Sequence, residues 1–175
     1  MGGWEEILFE RSENIPLFYV RYIDDIFGIW TGTEEELKQF HQTANKIHPN
    51  IQVDLRLSNS KIDFLDVTIS ITDGILSTDL FCKPTDKHMY LNRTSSHPES
   101  TKKSIPFGLG LRVRRICSTE ETYQIQRNKI KNNLMKRGYS DNDTEKELRK
   151  VDKLDRSNLL NYRKKLAKIT VSLLL

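Results

Sequence analysis

The chain of 175 residues has only two cysteines, Cys82 and Cys117, and no apolar run that approaches the length of a membrane-spanning helix. Two cysteines cannot form a disulfide framework, so a reducing compartment is expected. Residues 1–6 contain no basic region followed by an apolar stretch, and they therefore do not resemble a secretory signal peptide. These absences predict an intracellular protein of the nucleus or the cytoplasm that has no membrane partner.

Charge is distributed unevenly along the chain. Hydrophobic residues make up 37% of the sequence, which is enough for a modest core in one ordinary domain or two very small ones. Residues 1–80 carry 6 basic and 14 acidic side chains, a net charge of −8, whereas residues 81–175 carry 22 and 10, a net charge of +12. The basic half is expected either to contact a polyanion or to present an ordinary solvated helical surface.

Residues 17–30 predict a β-hairpin with two carboxylates at its tip. Two short runs rich in Phe, Tyr, Val and Ile flank the pair Asp24-Asp25. Adjacent carboxylates on a hairpin suit Mg²⁺, because this hard cation prefers oxygen ligands. In two-metal nucleotidyl transfer, such ions activate the attacking oxygen and stabilise the leaving one. A solvated turn without a metal is the alternative for an Asp-Asp pair considered by itself.

The rest of the first half predicts one helix and an antiparallel meander, which together with the hairpin give an α+β fold. Thr33 and Glu36 form an S/T-x-x-E capping box at the start of a helix that ends near residue 48. Alternating apolar residues predict three strands, at residues 51–57, 62–71 and 75–82.

Composition changes after Pro84. The polar residues 85–104 predict a connecting loop, and residues 105–168 predict helices. Capping boxes are expected at Ser118–Glu121 and at Thr144–Glu147, and Gly138 suits the end of the first of these two helices. Two helices joined by a short turn would form a helix-turn-helix-like unit. Residues 169–175 predict the start of a strand.

Several motifs, taken in order, resemble the reverse transcriptases of Penelope-like retroelements. Tyr22-Ile23-Asp24-Asp25 matches the Y-x-D-D motif of the reverse-transcriptase palm. The other matching stretches are FLDV at 64–67, LFCKPTD at 80–86, LNRTSSHP at 91–98, IPFG at 105–108 and RVRRIC at 112–117. The resemblance extends from about residue 4 to residue 160 and implies RNA-directed DNA polymerisation by a retroelement enzyme.

The resemblance also implies a fold and a set of roles. Residues 1–84 would be the C-terminal part of the palm, an antiparallel sheet with the YIDD hairpin, one packing helix and a primer-grip-like hairpin. Residues 105–168 would be an all-helical thumb that includes the helix-turn-helix-like unit. Asp24 and Asp25 would be the catalytic, metal-binding carboxylates for Mg²⁺, or for Mn²⁺ in its place. The residues expected to contact the RNA template and DNA primer are Tyr22, Lys83, Arg93, His97, Lys102, Lys103, Arg112, Arg114 and Arg115.

The family's fingers and its first palm aspartate have no counterpart before Asp24. The chain therefore matches a fragment of the polymerase, inactive alone, whose intramolecular partner would be the missing fingers and N-terminal palm. The alternative is a non-catalytic, nucleic-acid-binding helix-turn-helix-like module with a vestigial Asp pair. A third class is a helix-rich interaction domain with no nucleic-acid role.

A zinc finger is disfavoured by the spacing of the cysteines and histidines. Cys82, His88, His97 and Cys117 fit no compact finger or knuckle.

Overall fold

The structure, a computed structural model, describes residues 2–161. The chain forms two compact units, one up to Leu65 and one from Asp66 onward. In the first unit, the elements are α1 (Gly2–Arg11), β1 (Phe18–Tyr22), β2 (Asp25–Ile29), α2 (Glu34–Lys46) and β3 (Lys61–Phe64). In the second, they are β4 (Val67–Thr72), β5 (Ile75–Leu80), α3 (Glu99–Ile116), α4 (Glu120–Lys136), α5 (Asp141–Asp152) and α6 (Arg156–Leu160). The predicted α+β class with small antiparallel sheets is confirmed.

The predicted hairpin of residues 17–30 is present. Strands β1 and β2 pair antiparallel with Tyr22 opposite Asp25, so that Ile23 and Asp24 form the turn. Ile23 has a φ of 55°, in the left-handed region that β-branched residues rarely adopt. Its carbonyl oxygen accepts a hydrogen bond of 3.0 Å from Nη1 of Arg21, which supports the turn from the preceding strand.

Helix α1 is attached to this hairpin by a polar contact and to α2 by apolar packing. The carboxylate of Glu5 accepts hydrogen bonds from Nε of Arg21 at 2.7 Å and from the hydroxyl of Tyr19 at 3.0 Å. Trp4, Leu8 and Ala44 form the buried core of the first unit. Strand β1, which leads to the hairpin tip, is thus anchored to a helix through Tyr19 and Arg21.

The capping box that opens α2 is confirmed, but the strand predicted next is wrong. The Thr33 side chain accepts a hydrogen bond from the backbone N–H of Glu36, and the Glu36 carboxylate accepts one from the backbone N–H of Thr33. Residues 51–57 form no strand because side chains of α2 take the backbone groups of Val53. Asn45 accepts from the Val53 N–H at 2.7 Å, and both Asn45 and His41 contact the Val53 carbonyl oxygen.

The strand predicted at residues 62–71 is divided in two, because Leu65 adopts a φ of 54° and ends β3. Strand β5 ends at Leu80, two residues earlier than predicted. The turn between β4 and β5 is formed by Asp73-Gly74, where both residues have positive φ, as a type I′ hairpin requires.

Helix α3 begins at Glu99, inside the predicted loop 85–104. Pro106 favours a helix start near residue 105, since proline is best tolerated in the first turn. The structure instead places Pro106 inside the helix, and the polar residues before it are helical. Lys102 stabilises this added segment, because its ammonium lies 3.0 Å from the Ser95 carbonyl oxygen and 2.7 Å from the Glu99 carboxylate.

Helices α4 and α5 form the predicted pair joined by a turn at residues 137–140. Gly138 has a φ of 84°, and the N–H groups of Gly138 and Tyr139 bond to the carbonyls of Met135 and Leu134, which is a Schellman motif. Both predicted capping boxes are wrong: Thr119 caps α4 and Ser140 caps α5.

The two predicted N-cap residues, Ser118 and Thr144, have other roles. Ser118 bonds to the backbone of Thr78, and Thr144 is buried inside α5.

The core of the second unit lies between its three long helices. Val113, Tyr123, Leu134, Leu148 and Val151 are each at most 1% exposed. At Gly110 of α3, an added Cβ would lie 2.8 Å from Cδ2 of Leu148, so α3 and α5 approach as closely as the missing side chain permits.

No helix in residues 2–161 is both long and apolar enough to cross a membrane. The strand predicted at residues 169–175 and the last residues of the predicted helical region, 162–168, lie outside the described part of the chain.

Candidate nucleic-acid interface

The predicted carboxylate pair lies where the sequence placed it, on the exposed tip of the first hairpin. Asp24 is the second turn residue and Asp25 is the first residue of β2. Both are exposed, and the neighbouring Tyr22 is 58% exposed. The tip therefore presents two carboxylates and a phenol ring to solvent.

The hairpin tip offers a metal ion two carboxylates, and the described residues provide no third acidic, His or Cys side chain to join them. Across residues 2–161, no other His, Cys, Asp or Glu side chain forms a metal-holding cluster with Asp24 and Asp25. Two carboxylates with waters suit Mg²⁺, which is often bound by one or two carboxylates and completed by substrate phosphates. The residues present are compatible with one such ion held weakly.

Three cations that the sequence assigned to nucleic acid are used inside the second unit. Arg93 forms a bidentate pair with Glu99, and Lys102 is only 6% exposed. The guanidinium of Arg114 lies 4.6 Å from the ring centroid of Tyr123, donates to the Leu154 carbonyl oxygen at 3.2 Å and pairs with Glu120. The charges of these three residues stabilise the fold and have carboxylate or carbonyl partners.

The remaining predicted contacts differ in exposure. Arg112 bonds to Asp66 at 2.6 Å but keeps 54% of its side chain exposed. Arg115 is half-buried, and its carbonyl oxygen accepts a hydrogen bond from Nε of Arg156. The other predicted contacts, Lys83, His97 and Lys103, are exposed. Four of the predicted contacts of the second unit, Lys83, His97, Lys103 and Arg112, are therefore exposed to solvent.

A more continuous basic surface lies on α5 and its C-terminal cap. Lys146, Arg149, Lys150 and Lys153 are exposed and line one shallow, open depression together with Asn142 and Glu145. Their spacing of three and four residues places them on one face of the helix. We call these four cations the α5 basic face. Lys146 and Lys153 have no ion-pair partner among residues 2–161, whereas Arg149 and Lys150 pair with Glu145 and Glu147.

A buried arginine of α4 neutralises two acidic side chains of α5. Arg127 of α4 is 6% exposed and donates hydrogen bonds to Glu145 at 3.0 Å and to Asp152 at 2.9 Å. The Arg127 hydrogen bond holds the pKa of Glu145 at about 2, with further hydrogen bonds from Lys131 and Arg149. Glu145 and Asp152, two of the five acidic residues of α5, are thereby paired with a buried cation.

Sequence reasoning missed the α5 basic face. The spacing of Lys146, Arg149, Lys150 and Lys153 would have indicated it if the helix had been predicted to begin at Asp141. The acidic residues beside and between them, such as Glu145 and Asp152, obscured the pattern, because only the packing of α4 shows which charges are neutralised.

One family model matches this part of the chain. The model, described as the animal helix-turn-helix domain, matches residues 89–149, a segment that contains all of α3 and α4 and most of α5. No curated protein and no solved structure matches the chain. The helix-turn-helix-like unit predicted from sequence is therefore supported by a family match and by the observed pair of helices.

Proposed function

We propose that the second unit is a nucleic-acid-binding module that holds a duplex against the α5 basic face. The proposal is carried by one observation: α5, the second helix of the α4–α5 pair, presents four exposed cations on one face together with its C-terminal cap. Two of these cations, Lys146 and Arg149, lie within the residues that the helix-turn-helix model matches. In helix-turn-helix proteins, the second helix of the pair is the one that enters the major groove.

The chemistry of the face favours phosphate contact. Lysine and arginine side chains bind backbone phosphates irrespective of sequence, and each phosphate neutralised releases counterions. Asn142 is the one uncharged polar side chain in the depression, so hydrogen bonding to base edges has little support there. Binding by this face is expected to be salt-dependent and weakly sequence-selective.

The test measures binding of a labelled DNA duplex and of a labelled RNA–DNA hybrid by the full chain over a salt series. The α5 variant changes Lys146, Arg149, Lys150 and Lys153 to Gln, which preserves helix propensity. The control changes four exposed cations of the first unit to Gln, namely Arg11, Lys46, Arg56 and Lys61, and alters the net charge equally.

The expected result is weaker binding by the α5 variant alone, with the slope of log K against log salt reduced by about 0.9 for each lost phosphate contact. Equal loss in both variants would show a net-charge effect and overturn the assignment to α5. No binding by the folded wild-type chain at low salt would overturn the function itself.

A second function is favoured by the hairpin tip. Two adjacent carboxylates beside Tyr22 on an exposed two-residue turn have the form that the Y-x-D-D resemblance implies. In that function the chain is the palm end and thumb of a longer RNA-directed DNA polymerase, and Asp24 and Asp25 hold Mg²⁺. The ion would neutralise the reacting phosphates, while the two carboxylates position it beside the primer end.

Its test joins the chain to the missing fingers and first palm aspartate and measures primer extension on an RNA template. Extension that is lost in Asp24→Ala and retained in Asp54→Ala, a matched change at an exposed aspartate of the same unit, supports the polymerase. If primer extension persists in Asp24→Ala, or if the folded protein with the added fingers shows no primer extension, the non-catalytic module remains as the function.

A further inference from the structure

A mixed set of metal-ligand side chains converges in the segment that follows β5. The potential ligand atoms of Cys82, Asp86 and His88 all lie within 4.8 Å of one another. Cys82 is half-buried, and the side chains of Asp86 and His88 are 49% and 32% exposed, so the cluster opens to solvent on one side. None of these three residues belongs to the Asp24-Asp25 tip or to the α5 basic face.

Two of the three ligand atoms already have the separation of a metal site. Nδ1 of His88 lies 3.5 Å from Oδ2 of Asp86. With ordinary zinc–ligand bond lengths, two ligand atoms on one tetrahedral ion are roughly 3.3–3.6 Å apart. A small inward movement of the Cys82 thiol would therefore complete three corners of a tetrahedron.

The backbone holds the histidine and the aspartate in this arrangement. Oδ1 of Asp86 accepts the His88 N–H at 2.8 Å, which leaves Oδ2 directed to the imidazole. His88 has a φ of 49°, and its carbonyl oxygen accepts from the Tyr90 N–H at 2.9 Å. One carboxylate oxygen is thus used for positioning, and the other remains available as a ligand.

The donor set favours a borderline-soft ion over Mg²⁺ or Ca²⁺. A thiolate and an imidazole are ligands of zinc, whereas Mg²⁺ and Ca²⁺ select oxygen. Thiolate and carboxylate together carry two negative charges, which balance a divalent cation. Arg112 and Lys129 lie near enough to affect Cys82 electrostatically, and the charge of Arg112 is met by Asp66.

We propose that Cys82, Asp86 and His88 form a zinc site with water in the fourth position. The Cys82 thiol loses its proton to solvent as the zinc–sulfur bond forms. The ion would join the end of β5 to the loop that approaches the α4–α5 turn, where the Arg93 N–H bonds to the Arg137 carbonyl oxygen at 2.9 Å. Zinc would thereby fix a segment of residues 81–98 that has no helix or strand of its own before α3.

The test uses the full chain, reduced and stripped of metal with a chelator. Zinc stoichiometry is measured by elemental analysis after dialysis, and Co²⁺ is added separately to detect thiolate-to-metal charge-transfer absorption. The ligand variants are Cys82→Ser, Asp86→Asn and His88→Gln. The matched controls are Cys117→Ala and His97→Gln, which change the other cysteine and the histidine of the same loop.

One zinc per chain is expected, with affinity reduced by on the order of tenfold or more in each ligand variant and unchanged in the controls. The charge-transfer band should disappear in Cys82→Ser and persist in Cys117→Ala. Circular dichroism establishes that each variant is folded. Zinc should raise the Tm of the wild-type chain and should leave the Tm of Cys82→Ser unchanged. Binding that is unaffected by Cys82→Ser or His88→Gln, or absent from the folded wild-type chain, overturns the site.

Discussion

Nη2 of Arg127 lies 2.9 Å from Oδ2 of Asp152, so a buried guanidinium on α4 is held by the last residue of α5. The same guanidinium bonds to Glu145, about two helical turns before Asp152 on α5, and the hydroxyl of Tyr123 donates to Asp152 at 2.7 Å. The helix pair is therefore joined through polar groups as well as through its apolar core.

Removal of this arginine should destabilise the second unit strongly. In Arg127→Met, Glu145 and Asp152 lose their shared cation while they remain partly buried, and the expected loss is about 3 kcal/mol of the free energy of unfolding. Urea denaturation followed by far-ultraviolet circular dichroism measures it. Lys129→Met, an exposed change on the same helix, should alter stability by no more than about 0.5 kcal/mol. Similar values for the two variants would contradict a structural role for Arg127.

The stability of the second unit should also depend on the ionisation of Glu145. Its carboxyl has a pKa of about 2 in the folded chain against 4.5 ordinarily, chiefly because Arg127 donates a hydrogen bond to it. A depressed folded pKa contributes stability that is present above the ordinary value and is lost as pH falls towards the folded value. Wild type should therefore exceed Glu145→Gln in stability at neutral pH.

The difference between wild type and Glu145→Gln should shrink between pH 4.5 and about pH 2. Urea midpoints of the two chains over this range provide the measurement, and comparison of the pair cancels the titration of other carboxyls. A difference that stays constant with pH would show that Glu145 is not held ionised by its partners.

Two glycines of α3 should respond in opposite directions to the same substitution. In Gly110→Ala, the added methyl would meet Leu148 and Val151, both fully buried, and the expected loss is about 1–2 kcal/mol. In Gly108→Ala, the methyl meets nothing within 4 Å, and higher helix propensity should add about 0.5–1 kcal/mol. Thermal unfolding distinguishes them, and equal shifts would refute the close approach of α3 and α5.

Glu5 should stabilise the first unit by holding strand β1 of the hairpin to α1. Glu5→Ala leaves Arg21 and Tyr19 without their shared acceptor, which is expected to cost about 1.5 kcal/mol. Both tryptophans, Trp4 and Trp30, belong to the first unit, so intrinsic fluorescence during urea unfolding reports on it. The neighbouring change Glu6→Ala, at an exposed position of the same helix, serves as the control and should have little effect.

Signals confined to a few neighbouring residues predicted the fold best. The hairpin around Asp24, the capping box of Thr33 and the glycine at Gly138 each depend on local backbone geometry, and each is observed. The strand predicted at residues 51–57 failed because Asn45, from the preceding helix, occupies the backbone of Val53. Apolar alternation alone does not reveal that competition.

The roles of the cations could not be predicted because they depend on contacts between distant residues. Arg114 stacks on Tyr123 and bonds to the Leu154 carbonyl oxygen, 40 residues further along the chain, although the sequence assigned it to nucleic acid. Asp86 cannot be recognised as a zinc ligand from the spacing of Cys and His, since that spacing does not include carboxylates. The Asp24-Asp25 pair was located correctly, while its chemistry stays a prediction.

The missing side chain at Gly110 also bears on how the protein would meet a ligand. Since α5 is pressed against α3 with no spare volume, the two helices cannot slide past each other without distorting Leu148, which is fully buried. In the function proposed for the α5 basic face, its cations would share one closely packed helix and would lose little backbone freedom on binding an anion. The hydrogen that Gly110 has in place of a methyl group would thus help to preorganise the charged surface for that ligand.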